Sequence, residues 1–108
     1  MTSTEPAPSF REKASDTLTA TGTLTRGGTP IAGPLIVTRA LLTGGQAETA
    51  ELRDGGPTGP LVETLRLGAG GRDVSEPTRG LRFEADCHVT LSAGTTNFSA
   101  RYVGGDLP

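Results

Sequence analysis

The sequence predicts an all-β domain, and three observations point to it. Glycine supplies 16 of the 108 residues and proline 8, and both gather between apolar runs. Within several of those runs apolar and polar residues alternate with a period of two, the spacing of a half-buried strand. Turn-forming clusters interrupt the runs at short intervals. Together these features predict a small antiparallel β-sandwich or jelly-roll-like domain of about six to eight strands. The expected organisation is an extended N-terminal arm over residues 1–15, the sandwich over 16–104 and a short tail over 105–108.

The arm is rich in Ser, Thr, Pro, Glu and Ala, with Phe10 isolated among them. Pro6 and Pro8 oppose a helix. Such a segment has little apolar surface to fold upon itself, so a neighbouring subunit is expected to hold it. "DTLTATGTLTRGG" follows. Leu18, Ala20, Gly22 and Leu24 fall on one side, and Thr17, Thr19, Thr21, Thr23 and Thr25 on the other. This predicts one half-exposed strand whose threonine row meets water or another sheet. "PIAGPLIVTRALLTGG" is apolar in both phases, Leu35, Val37 and Leu41 alternating with Ile36, Ala40 and Leu42. It reads as a central strand covered on both sides or packed on a partner.

"AETAELRDGGPTGPLVETLRLGAGG" reads as a hairpin. Ala50 and Leu52 lead into the turn residues Asp54 to Pro60, and Leu61, Leu65 and Leu67 lead out. "RDVSEPTRG" has Val74 as its only apolar residue, and Pro77 bars a central strand, so an edge strand or loop is expected. In the last long segment Leu81, Phe83, Ala85, Cys87, Val89, Leu91 and Ala93 alternate with Arg82, Glu84, Asp86, His88, Thr90 and Ser92. After the turn "AGTT", Phe98, Ala100 and Tyr102 face one way and Ser99, Arg101 and Val103 the other. "GGDLP" is expected to fray.

Asp86, Cys87 and His88 stand side by side, and Cys87 and His88 are the chain's only cysteine and histidine. In an extended strand Cys87 points into the core while Asp86 and His88 point to the opposite face. Free cysteine packs as a small hydrophobe, and a Cys–His dyad needs both groups on one side. The expectation is therefore a buried thiol and a solvated or interfacial His88. An i, i+2 pairing of Asp86 with His88 is open, and the functional rival is a metal or pH-sensing role with a carboxylate from elsewhere. "GAGGRD" lacks the residues of a phosphate loop and reads as a turn. Asp54 before Gly55 reads as a turn residue rather than a calcium ligand. Asn97-Phe98-Ser99 matches a glycosylation acceptor by chance. No catalytic, cofactor-binding or metal-binding residue is expected, and no cofactor.

With 33% hydrophobic residues, no Trp and no possible internal disulfide, the core is thin for its size. Sheet pairing and oligomerisation are the remaining means of stabilisation. A net charge of −2 without a basic stripe, and few aromatics, argue against nucleic-acid binding. No apolar run approaches the ~20 residues of a membrane span, and the N-terminus lacks the pattern of a signal peptide. A lone cysteine fits a reducing compartment.

Several stretches resemble a short β-domain found among bacteriophage virion structural proteins: "GPLIVTRALLTGG", "AELRDGG", "GPLVETLRLGAGG", "RGLRF" and a closing "VTLSAG" before an aromatic-bearing strand. The resemblance spans about Gly33 to Val103. It departs at "EAD", Glu84 to Asp86, where a glycine turn is usual, so the strand either runs straight through or kinks there. The resemblance implies a non-enzymatic virion component, a capsid decoration or head-spike part, assembled in the host cytoplasm. The implied partners are copies of itself, as a trimer or other symmetric oligomer, and major capsid or other virion proteins met through residues 1–15. Neither nucleic acid nor membrane is implied. The rival readings are a tail or fibre component, a carbohydrate-binding adhesin module and, least favoured, an enzyme.

Overall fold

A computed structural model describes residues 12–44, 48–67, 71–92 and 96–105. All regular structure in these residues is β, and every strand pairing is antiparallel. The first sheet runs in the order β1 (Lys13–Ala14), β11 (Asn97–Gly104), β5 (Leu35–Gly44), β8 (Gly71–Ser75). The short β9 (Leu81–Phe83) shares the far side of β5, pairing with Leu35–Val37 while β8 pairs with Ala40–Gly44. The second sheet runs in the order β2 (Gly22–Thr23), β10 (Cys87–Leu91), β6 (Thr49–Asp54), β7 (Leu61–Arg66). A small hairpin of β3 (Thr25–Arg26) and β4 (Thr29–Pro30) stands apart. Among the described residues eleven strands replace the expected six to eight because four of them are two-residue pieces.

One core lies between the sheets. The first sheet contributes Leu35, Val37, Ala40, Leu42, Phe83, Phe98 and Tyr102, and the second Ala50, Leu52, Leu65, Cys87, Val89 and Leu91. A fully buried Val, Leu or Phe contributes about 1.5–3 kcal/mol over its exposed state. The final segment supplies two of the largest, Phe83 and Phe98.

The double apolar phase of β5 has a specific cause. β11 pairs Arg101 with Arg39 and then Tyr102 with Val37, so Thr38 is an extra residue and the strand bulges there. Before the bulge Leu35 and Val37 face the core; after it Ala40 and Leu42 do. The central position is as expected, but the two apolar phases reflect this switch. Ile36 and Leu41 lie on the outer face, part-buried. A second irregularity shifts β7. Leu52 pairs with Glu63 and Arg53 with Leu61, which turns Leu61 outward at 50% exposure and packs Val62 against the core.

The expected single strand from Thr17 to Thr25 is not formed. Leu18 exchanges both backbone hydrogen bonds with Phe98 in the first sheet, whereas Leu24 donates to the Cys87 carbonyl in the second. One straight strand cannot belong to both sheets, so the chain bends at Thr19–Thr21 and crosses between them. Asp16 anchors this crossing. Its carboxylate accepts from the Gly27 and Gly28 amides and from the Thr25 hydroxyl, which holds it below the usual carboxylate range.

The first sheet begins at Lys13, inside the stretch assigned to the arm. Lys13 pairs with Tyr102, and its ammonium donates to the Gly104 carbonyl at 2.7 Å and lies 5.4 Å from the centre of the Tyr102 ring. Carbonyl and ring together compensate a cation that is largely buried. At the other terminus Gly104 belongs to β11 and Gly105 donates to the Pro34 carbonyl, so the chain is held that far. The hairpin of β6 and β7 and the edge strand β8 are as the sequence predicts. The Gly68–Gly70 part of the predicted turn, most of "AGTT" and residues 1–11 lie outside the described residues.

Candidate functional site

The Asp86–His88 triplet is pulled three ways. Between β9 and β10 the chain leaves the first sheet for the second, and residues 84–86 form the kink. Asp54, at the end of β6, fixes it: one carboxylate oxygen accepts the Glu84 amide and the other the Ala85 amide, both at 2.9 Å. These bonds hold Asp54 below the usual carboxylate range. The Ala85 carbonyl accepts from Gly33, and Gly55 donates to the Asp86 backbone carbonyl and side chain. Of the two alternatives at "EAD" the chain takes the kink, which leaves Ala85 exposed instead of inward.

Beyond the kink the alternation resumes in register with β6. Cys87, Val89 and Leu91 face the core. Burial pushes the Cys87 thiol well above its ordinary value, and the nearby Asp86 and Asp54 charges add to the shift. His88 points to the outer face of the second sheet, opposite Thr23 on one side and Arg53 on the other. Of the two expected positions, solvated or interfacial, the first does not hold: on the interior strand β10 His88 is only 8% exposed. Asp86 gives its carboxylate to Gly55 and makes no hydrogen bond to His88. The His88 Nε2 has no hydrogen-bond partner. Arg53 turns away to the Glu51 carboxylate and the Gly59 carbonyl. The thiol and imidazole thus lie on opposite faces of one strand, an arrangement without a nucleophile–base dyad.

Among the described residues no three His, Cys, Asp or Glu side chains come together as a metal site. No helix there is long and apolar enough to cross a membrane. Phe83, Phe98 and Tyr102 are buried, so the described surface offers no aromatic platform for a sugar ring.

The outer face of the first sheet concentrates more recognition chemistry. Its rows follow from the pairing: Ala14, Arg101 and Arg39 lie side by side across β1, β11 and β5, and Ser99, Leu41 and Val74 across β11, β5 and β8. Ala14, Arg101, Arg39, Ser99 and Leu41 from these rows line a groove of about 300 Å³ together with Ser15 and Thr17. That volume lies at the lower end of ligand clefts, ~300–1,000 Å³. Arg39 and Arg101 are directly paired in the register, and each has an acidic neighbour. Arg39 Nε lies 3.1 Å from a Glu76 oxygen and Arg101 3.7 Å from a Glu12 oxygen. The Glu12 carboxylate also accepts from the Thr38 hydroxyl at 2.6 Å. Arg39 Nε is buried and lacks the alignment for a hydrogen bond, so its contact with Glu76 is purely ionic. Sequence reasoning missed this cluster because Arg39 and Arg101 are 62 positions apart and only the register of β11 on β5 pairs them.

The chain matches no family model, no curated protein and no solved structure.

Proposed function

We propose that the chain is a non-enzymatic structural protein of a phage or phage-like particle, a capsid decoration or head-spike component that works by assembly. The observation that carries this reading is the outer face of the first sheet. Ile36, Leu41, Val74 and Val103 lie there only part-covered, around the paired arginines. A face that mixes apolar strand residues with arginine has the composition of an interface core. β1 brings the N-terminal segment to the edge of that same sheet. The thin core and the sequence resemblance point the same way.

The decisive measurement is the native mass of the full chain by light scattering, alone and with the particle it purifies with. A symmetric oligomer, or retention on a particle, is the expected result. Deleting residues 1–11 leaves β1 and every described strand intact, so the truncated chain should melt as before yet lose its retention. A solitary monomer that joins no particle sinks the proposal.

A further inference from the structure

We infer that the groove on the outer face of the first sheet seats the N-terminal segment of a neighbouring copy of this chain, with the Glu5 carboxylate held between Arg39 and Arg101. This rests on the assembly reading above and names the surface and the segment through which assembly occurs.

Both arginines of the groove are part-exposed and can take a further anion beside their acidic neighbours. Arg39 and Arg101 form a like-charge pair in the cross-strand register, which a sheet does not favour. Glu12 and Glu76 approach from the two flanks, but neither stands between the arginines in the register, and the four side chains remain 41–61% exposed. A carboxylate above both guanidiniums would accept charge-assisted bonds from each. The hydroxyl-bearing Ser15, Thr17 and Ser99 line the groove beside an apolar floor of Leu41 and Ala14. This lining suits a small, extended, mildly polar peptide.

The first eleven residues supply such a peptide. Glu5 is their only acid, and Pro6, Ala7 and Pro8 follow it. Proline fixes its own φ and disfavours helical geometry in the residue before it, which suits an extended ligand. From Glu12 back to Glu5 the chain spans up to about 25 Å, enough to cross to an adjacent subunit.

Chain direction selects a second copy over the same copy. β1 runs from Lys13 toward Ser15, and the groove begins at Ala14 and continues past Ser15 to Thr17. The chain therefore enters β1 at the end away from Thr17. To run along its own groove the segment before Glu12 would have to reverse direction within the few residues between Glu5 and Glu12.

The test uses the full chain and three variants: Glu5→Arg, Arg101→Glu and the two combined. Association is read by sedimentation across a concentration series, with thermal melting as the fold control. Glu5→Arg and Arg101→Glu should each weaken association at least about tenfold, and the combined exchange should recover most of the loss. Glu5 lies outside the sheets, so its variant keeps the test valid even if Arg101→Glu melts early. Undiminished association in both single variants overturns the seating and leaves assembly standing. Concentration-independent contacts between Glu5 and the groove in a monomer, seen by nuclear magnetic resonance, overturn the second copy in favour of the chain's own segment. If particle retention is lost in Arg101→Glu but kept in Glu5→Arg, the groove holds an acidic segment of another protein and the inference falls. A full chain that neither associates nor binds a particle removes this inference and the assembly reading together.

Discussion

Arg39 and Arg101 face each other across β5 and β11, two like charges in one cross-strand pair. Such pairs destabilise a sheet by a few tenths to about 1 kcal/mol. In the isolated monomer we therefore expect a double-mutant cycle of Arg39→Thr and Arg101→Thr to give a repulsive coupling of about 0.2–1 kcal/mol. The coupling should shrink with added salt, because both side chains are part-exposed and screened. Denaturant melts at low and high salt measure it. A favourable, salt-insensitive coupling would mean that the flanking Glu12 and Glu76 already neutralise the pair.

Asp54 holds the kink between the sheets through the Glu84 and Ala85 amides. An Asp54→Ala chain leaves both donors without their acceptor, and its Tm should drop by about 5–10 °C. Asp54→Asn should recover part of this, since one of its two atoms still accepts. The pH dependence has a defined sign. The folded carboxylate is held below its unfolded value, so its contribution is complete above the ordinary carboxylate range near pH ~4 and disappears as pH falls through the lower folded value. The wild type should lose stability in acid below about pH 4, and Asp54→Ala should show a shallower acid limb in urea melts. An unchanged limb would show that other carboxylates set the acid response.

Much of the fold was legible because strand alternation survives wherever one face is dry. Cys87, Val89 and Leu91 are inward, and Phe98, Ala100 and Tyr102 are inward, as their parity requires. What could not be read were the places where pairing changes phase or sheet. The bulge at Thr38 made one strand look doubly apolar, and the shift at Val62 sent Leu61 outward. The crossing at Thr19–Thr21 preserved perfect alternation in the letters while the backbone bent. His88 lies on the face its parity gives, and its low exposure goes with β10 lying between β2 and β6, which no local pattern shows. The arginine groove is a product of register alone, which no local pattern encodes.

Cys87 tests the inner side of that alternation. Its side chain is fully buried and its thiol is shifted away from the reactive thiolate. The native chain should resist a disulfide reagent such as Ellman's, with labelling governed by global unfolding and accelerated by urea. Cys87→Ala should cost less than Cys87→Ser, because a serine hydroxyl would be buried among Leu, Val and Phe without an acceptor, a penalty of about 1–3 kcal/mol. Rapid labelling under native conditions would place the thiol on an accessible face and reopen a reactive role for it.

Gly33 tests the kink from the connection that precedes β5. Its amide donates to the Ala85 carbonyl, and the backbones approach so closely that a Cβ added at residue 33 would lie 2.3 Å from the Glu84 carbonyl oxygen. The obstacle is backbone, pinned in turn by Asp54, so it cannot rotate aside as a side chain would. Gly22, by contrast, has nothing within 4 Å of an added Cβ. We expect Gly33→Ala to cost about 1–3 kcal/mol through forced displacement of the kink, and Gly22→Ala to be nearly neutral. Combining Gly33→Ala with Asp54→Ala should cost less than the sum of the two, since a kink released from its carboxylate can move away from the new methyl group. Strict additivity in urea melts would show that the two residues act on separate features and that Asp54 does not hold the crossing in place.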